Sequence, residues 1–402
     1  MQQNAWFQLG ASCKNNVPRL LVIALLAFSV CTVAQTASPL HPGATNMIYT
    51  CPEPAAYPKL GTSHKIVAAS WPNGTVFDFF ASRTPWDKQR PGDHDLSVAW
   101  EQFELTSYPI TGSQISQAEI ILSEKDHLLD IQIGSNKVIF DKNMGRIKSV
   151  SRNNAVFFED LSNAFWRAPI DNDKLIQRNW LKTGLHNILS KVINVDVRKG
   201  NDYLSIKVKK EHKAGGRECG FRTEETYTIS GNGLIKLEVE IDPFGELPVS
   251  LPRIGYEARV PSQYSQVSWY GKGFGSSYVD RSEGMKTGIY SGDVESLFIN
   301  YPVPQENGNR SEVRWMEMVD KDDKGINVSG DQLLNFSVRK YSTEKLTKAR
   351  HPFELKELPF SVLNIDMEQG PIGNRSCGPE ALEKYWLKPD KKKYVIYIRI
   401  LK

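Results

Sequence analysis

Apolar and polar side chains alternate along most of this chain, the period expected of strands with one face in a core and one in water. Ala118–Leu122, Leu128–Ile133, Val192–Val197 and Tyr203–Val208 all carry it. Thr226–Ile229 and Leu234–Ile241 flank Gly231-Asn-Gly233, the clearest hairpin turn in the sequence, and Tyr394–Ile400 closes the chain as another strand. Helical periodicity is scarce; only Ser342–Ala349 and Glu380–Tyr385 have room for a few turns. Strands following strands without intervening helices predict antiparallel sheets stacked face to face, a large all-β sandwich.

The pattern changes toward the N-terminus. Leu20–Ala34 is an uncharged, mostly apolar run behind Lys14 and Arg19, ending in small residues where a signal peptidase could cut. It is short for a membrane span, which needs about 20 residues. Residues 1–34 therefore read as a cleaved secretory signal, with an uncleaved anchor as the alternative. Residues 35–62, rich in Pro, Ala and Thr and without periodicity, read as a linker. Between 63 and 108, Ile66–Ala68, Val76–Phe80 and the alternating Leu96–Leu105 make a β segment too short for a sandwich of about 100 residues.

Charge excludes one class of partner. With 50 basic and 46 acidic residues the net charge is only +4, and no basic stripe marks a nucleic-acid surface. Without the leader, Cys51, Cys219 and Cys377 remain, too few for a disulfide framework and with no Cys-x-x-Cys pair. Asn73, Asn309, Asn327, Asn335 and Asn374 open glycosylation sequons.

Four polar clusters are the places where chemistry could reside. The densest, Tyr301–Arg310, sets Gln305, Glu306, Asn307, Asn309 and Arg310 beside two prolines. If buried, each amide and the guanidinium must find a partner, which fixes one backbone geometry. Phe165–Asp173 contains Asp171-Asn-Asp173, whose Asp-x-Asp spacing lacks the glycine and distal glutamate of a calcium loop. It reads as a corner pinned by Arg167. Trp269–Arg281 alternates glycines with aromatics but has no P-loop lysine. Asp366–Pro379 is a glycine-rich loop in which Cys377 has no recognisable base.

In order and spacing these four segments resemble the C-terminal domain of the glycoside hydrolase family 2 β-galactosidases, from about residue 92 to 402. The resemblance implies a supersandwich of the galactose-mutarotase kind over 109–402, preceded by the remnant of an immunoglobulin-like β domain at 63–108. It also implies a mobile flap beginning near Lys174. Asp173, Lys174, Arg375, Ser376 and Cys377 would lie near the mouth of a galactose site. Phe274 and Ser276 stand where relatives commonly have proline and glutamate, and Cys377 where well-known bacterial members have a tryptophan over the sugar.

What the chain lacks matters as much. Retaining glycoside hydrolysis needs two carboxyl groups about 5–5.5 Å apart. In the resembled family both come from a (β/α)8 barrel of about 250 residues. No such barrel fits before Leu96, and no Asn-Glu dipeptide of the family's acid/base type occurs. The family's magnesium and sodium ligands also belong to that region, so no cofactor is expected on this chain. The expectation is a small-chain region, inactive alone, that completes the β-galactoside site of a large subunit or of missing N-terminal domains. The alternative is a secreted, non-catalytic carbohydrate-binding β-sandwich. A mutarotase activity would need a histidine–glutamate pair in one cleft, which no motif indicates.

Overall fold

The computed structural model describes residues 118–402 except 274, 375–380 and 402, and before them the backbone of five strands. Those strands, β1 (Thr32–Ala37), β2 (Thr45–Thr50), β3 (His64–Trp71), β4 (Gly74–Ala81) and β5 (Ala99–Glu104), pair in chain order as an antiparallel meander. Their side chains, including the inward pattern expected of Leu96–Leu105, lie outside the described residues. The chain divides between Ser113 and Gln114 into two compact units.

The second unit is one antiparallel sheet, sixteen-stranded among the described residues. One arm runs through β6 (Ile120–Lys125), β7 (Leu128–Ile133), β8 (Asn136–Asp141), β9 (Arg146–Arg152) and β10 (Ala155–Ala164). The other runs through β11 (Ile188–Lys199), β12 (Tyr203–Ala214), β13 (Gly220–Ser230) and β14 (Ile235–Phe244). Between them lie β15 (Arg253–Pro261), β19 (Gly325–Arg339), β20 (Phe360–Gln369) and β21 (Lys392–Leu401). A side branch of β16 (Gln266–Lys272), β17 (Thr287–Asp293) and β18 (Arg310–Val319) joins along β19.

The sheet curls so that its arms face each other. Phe140 of β8 and Tyr227 of β13, far apart in strand order, meet edge to face at 5.2 Å. Alternation along β12, β13, β14 and β21 puts Val208, Tyr227, Val239 and Ile396 into a single core shared with Leu129 and Phe140. The expected all-β supersandwich is present. The predicted Gly231–Gly233 hairpin joins β13 to β14: Gly233 takes φ +78° and the Leu234 amide donates to Asn232 Oδ1 at 3.0 Å.

Helix content needs one correction. The stretch expected to begin a flap at Lys174 is helix α1, Lys174–Thr183, ended by Gly184 at φ +87°. The second helix, α2 (Thr343–Lys348), falls where periodicity allowed one, with Ser342 Oγ accepting from the Lys345 amide. Glu383–Tyr385 makes only a single 3-10 turn.

Candidate functional site

Strand β20, the first half of β15 and the C-terminal half of β19 are largely buried on both faces. One face is apolar, with Tyr256, Ile365 and Phe336 in register across the three strands. The other carries Gly255, Asp366 and Asn335 in one row and Glu257, Asn364 and Ser337 in the next. Gly255 is dictated by that row, since a Cβ there would lie 2.3 Å from Asp366 Oδ1 and 2.7 Å from the Ile365 carbonyl oxygen.

Arg253 organises the polar face. Its Nε lies 3.0 Å from Asp366 Oδ1 and donates to Gln369 Oε1 at 3.3 Å, and its Nη2 reaches Glu306 Oε1 at 3.3 Å. All three charged side chains are fully buried. Burial, with Glu306 and Glu257 nearby, outweighs the pull of Arg253 and pushes the Asp366 carboxyl up to about 7. Burial acts to lower Arg253, but Asp366 and Glu306 more than offset it and keep the guanidinium charged.

All four polar clusters seen in the sequence converge here. Glu306 supplies the carboxylate to Arg253, while Asn309 Nδ2 donates to the Ser277 carbonyl at 2.7 Å and to Asn335 Oδ1 at 3.3 Å. The Ser277 amide returns a bond to the Asn309 carbonyl at 2.8 Å. Asn307 Oδ1 accepts from the Ile299 amide and its Nδ2 donates to the Gln305 carbonyl. Glu306–Arg310 is therefore buried, with Asn307 and the Asn309 amide nitrogen partnered and Glu306 Oε2, Asn309 Oδ1 and Arg310 Nε left without a hydrogen-bond partner.

The glycine-rich loop after β20 is clamped from two sides. Asp280 accepts from the Ile372 amide at 3.0 Å and the Gly373 amide at 2.7 Å. Opposite, Arg167 Nη2 donates to both Asp173 Oδ1 at 2.9 Å and the Pro371 carbonyl at 2.8 Å, and Asn172 Nδ2 donates to the Ile372 carbonyl at 3.0 Å. A small cavity of about 80 Å³ opens beside the clamp, lined among others by Asn172, Trp180, Gly373 and Trp386.

Of the residues expected at a galactose-site mouth, Asp173 is buried, with Oδ1 on Arg167 and Oδ2 accepting from the Ile170 amide at 2.9 Å. Burial raises its pKa against the pull of Arg167. Both oxygens hold the corner that the sequence suggested. Lys174 is exposed as the first residue of α1. Arg375, Ser376 and Cys377 lie outside the described residues. The sequon at Asn309 is occluded, because its amide is fully buried and hydrogen-bonded.

A second ionic group was not legible as a motif. Lys210 and Glu225 pair at 2.8 Å in the core between the arms. Glu225 also accepts from Thr223 Oγ1, Asn163 Nδ2 and Tyr227 Oη, and Lys210 also donates to Asn163 Oδ1 and the Gly145 carbonyl. Its signal was available: Lys210, His212, Thr223 and Glu225 occupy inward positions of otherwise alternating strands.

Among the described residues no group of three or more His, Cys, Asp or Glu side chains gathers where a cation could sit. Residues 132–400 match the family model described as beta galactosidase small chain. A β-galactosidase of Arthrobacter sp. (strain B7) is 30% identical over 58% of this chain and 25% of its own. Those of Actinobacillus pleuropneumoniae and Kluyveromyces lactis are each 28% identical over 72% of this chain and 29% of theirs. The chain thus spans well under half the length of these curated relatives. Among solved structures, galactose 1-epimerase from Lactobacillus acidophilus NCFM is similar over 72% of this chain and 99% of that one, with 6% identity and a TM-score of 0.37. The GalM/aldose epimerase homologue from C. elegans gives 71% and 99%, 10% identity and a TM-score of 0.34. With two-thirds of its length matched by that family model, the chain belongs to the β-galactosidase small-chain family.

Proposed function

We propose that this chain is the small-chain part of an enzyme that hydrolyses terminal β-D-galactose residues, completing an active site whose catalytic carboxylates lie elsewhere. Those carboxylates, and the family's magnesium and sodium ligands, belong on this reading to a barrel-bearing large subunit or N-terminal region. Leu20–Ala34 would direct the chain into the secretory pathway.

One observation carries the reading beyond family membership: residues 371–373 are clamped by Asp280 on one side and by Arg167 and Asn172 on the other. Such rigidity costs chain entropy and suits a loop that must present groups at a fixed position. Arg375, Ser376 and Cys377 follow directly and would line the galactose mouth, with Lys174 and the Asp173 corner beside them.

The test is reconstitution. Mixing the purified chain with a barrel-bearing β-galactosidase chain that lacks its own small-chain region should yield a heteromeric complex by native mass and turnover of a chromogenic galactoside. Asp280→Asn, which weakens acceptance from both loop amides, should lower that turnover about tenfold. Failure to form any complex with such a partner would overturn the proposal.

A further inference from the structure

A larger opening lies one row away from the buried ionic centre. This cleft of about 740 Å³ falls within the roughly 300–1,000 Å³ typical of small-molecule sites. It is bounded by the end of β10, by Leu185–Ser190 and by α2. Trp166, His186, Ser190, Glu257 and Thr343 are the side chains whose chemistry decides what it can hold.

Glu257 is anchored at one oxygen and open at the rest. Its Oε2 accepts from Thr343 Oγ1 at 3.1 Å and Asn364 Nδ2 at 3.3 Å, while the side chain stays 36% exposed. Thr343 is oriented in turn, because Arg339 Nη2 donates to its hydroxyl at 2.5 Å and leaves the hydroxyl proton for Glu257. Arg339 itself is buried and bonded to Asn364 Oδ1 at 2.8 Å.

Ser190 is oriented from behind by a chain of known direction. Burial, then the nearby Lys210, push His212 down to about 3, so its ring is neutral. Thr223 Oγ1 donates to Glu225 at 2.9 Å and must therefore accept from His212 Nε2–H at 3.1 Å. Nδ1 is left as an acceptor, and the Ser190 hydroxyl, 2.7 Å away, donates to it. The Ser190 oxygen keeps its remaining acceptor capacity for the cleft.

An aromatic wall completes the site. Trp166 is half-buried, its Nε1 donating to Thr347 Oγ1 at 3.2 Å, and it meets Trp180 and His186 edge to face, each at 6.0 Å. The cations nearby are committed: Lys210 to Glu225, Lys348 to Glu344, and Arg339 as above. An anionic ligand would meet the Glu257 carboxyl group with no uncommitted cation among the described lining residues.

We propose that this cleft binds a neutral sugar ring, with a C–H face against Trp166 and hydroxyls donating to Glu257 and Ser190. It would act as a carbohydrate subsite separate from the clamped loop and does not depend on the reconstituted activity. His186 and Glu257 share this cleft, although no sequence motif linked them.

Saturation-transfer NMR on the full chain tests this, with D-galactose, the anionic D-galacturonate and glycerol as probes. Galactose should bind saturably in the millimolar range, and galacturonate about tenfold more weakly. Glu257→Gln should weaken galactose binding about tenfold, as expected for losing bonds to a charged acceptor. Trp166→Ala should do the same, with Trp166→Phe retaining part of the binding if the alanine variant fails to fold. Asp280→Asn should leave binding unchanged. No saturable galactose binding, equal binding of galacturonate, or insensitivity to Glu257→Gln would each overturn the proposal. So would loss of binding in Asp280→Asn alone, which would move the sugar to the clamped loop.

Discussion

The two buried ionic centres on this sheet are built to different degrees of completeness. Around Glu225 four side chains donate to one carboxylate, and Lys210 spends its three protons on Glu225, Asn163 and Gly145. Around Asp366, Arg253 Nη1, Glu306 Oε2 and Gln369 Nε2 are buried without a hydrogen-bond partner. A fully partnered network rigidifies a core, whereas a partly partnered one stays sensitive to protonation and to its surroundings. The first centre locks the arms of the sheet together. The second underlies the loop of residues 371–373 that Asp280, Arg167 and Asn172 clamp.

That contrast breaks most readily at Glu225. Glu225→Ala leaves Lys210 charged and unpaired in the core and should cost about 3–5 kcal/mol in urea unfolding. Replacing the pair together, as Lys210→Met with Glu225→Leu, should cost less than that single change. If the double variant were the less stable, the pair would be worth more than its geometry implies.

Gly255→Ala probes the other centre. The added methyl meets Asp366 Oδ1 and the Ile365 carbonyl oxygen within 2.7 Å, and overpacking of this kind should cost about 1–3 kcal/mol. A variant as stable as the parent would mean the three-strand row is looser than the register shows.

The pH dependence sharpens the difference, because the two centres slope in opposite directions. Asp366 rises from an ordinary 3.8 to about 7, so the folded chain holds a proton that the unfolded chain releases; stability from this group falls as pH rises from about 4 to 7. His212 is lowered from 6.5 to about 3, so its contribution falls as pH drops below 6.5. Between pH 4 and 6.5 these slopes oppose, each at most about 1.36 kcal/mol per pH unit. Asp366→Asn should therefore lose stability more steeply on acidification than the parent, and His212→Gln less steeply, in urea titrations across that window. Identical slopes in all three proteins would contradict both assignments.

The smallest expected effect is local. Asp280→Asn should speed hydrogen exchange at the Ile372 and Gly373 amides about tenfold while leaving the urea midpoint nearly unchanged. A drop in global stability instead would make the clamp part of the core.

Much of this was legible from period-two alternation, because strands with one wet face announce themselves; Leu128–Ile133 is a strand with the bounds read from sequence. The polar segments were visible by composition, but their convergence was not, because Asp280 meets Gly373 and Glu306 meets Arg253 through contacts distant in sequence. Helix α1 escaped because its core-facing apolar side is only one turn long, Ile176 and Trp180, among mostly polar and exposed residues. On β20 and the first half of β15 burial of both faces erases the alternation, so no pattern in the sequence singled out Arg253 or Asn364.

The small-chain reading stands or falls on turnover of a chromogenic β-galactoside by the purified chain alone. No hydrolysis above the buffer rate is expected at any chain concentration, with activity arising only once a barrel-bearing partner is present. Hydrolysis rising in proportion to the lone chain would refute that reading.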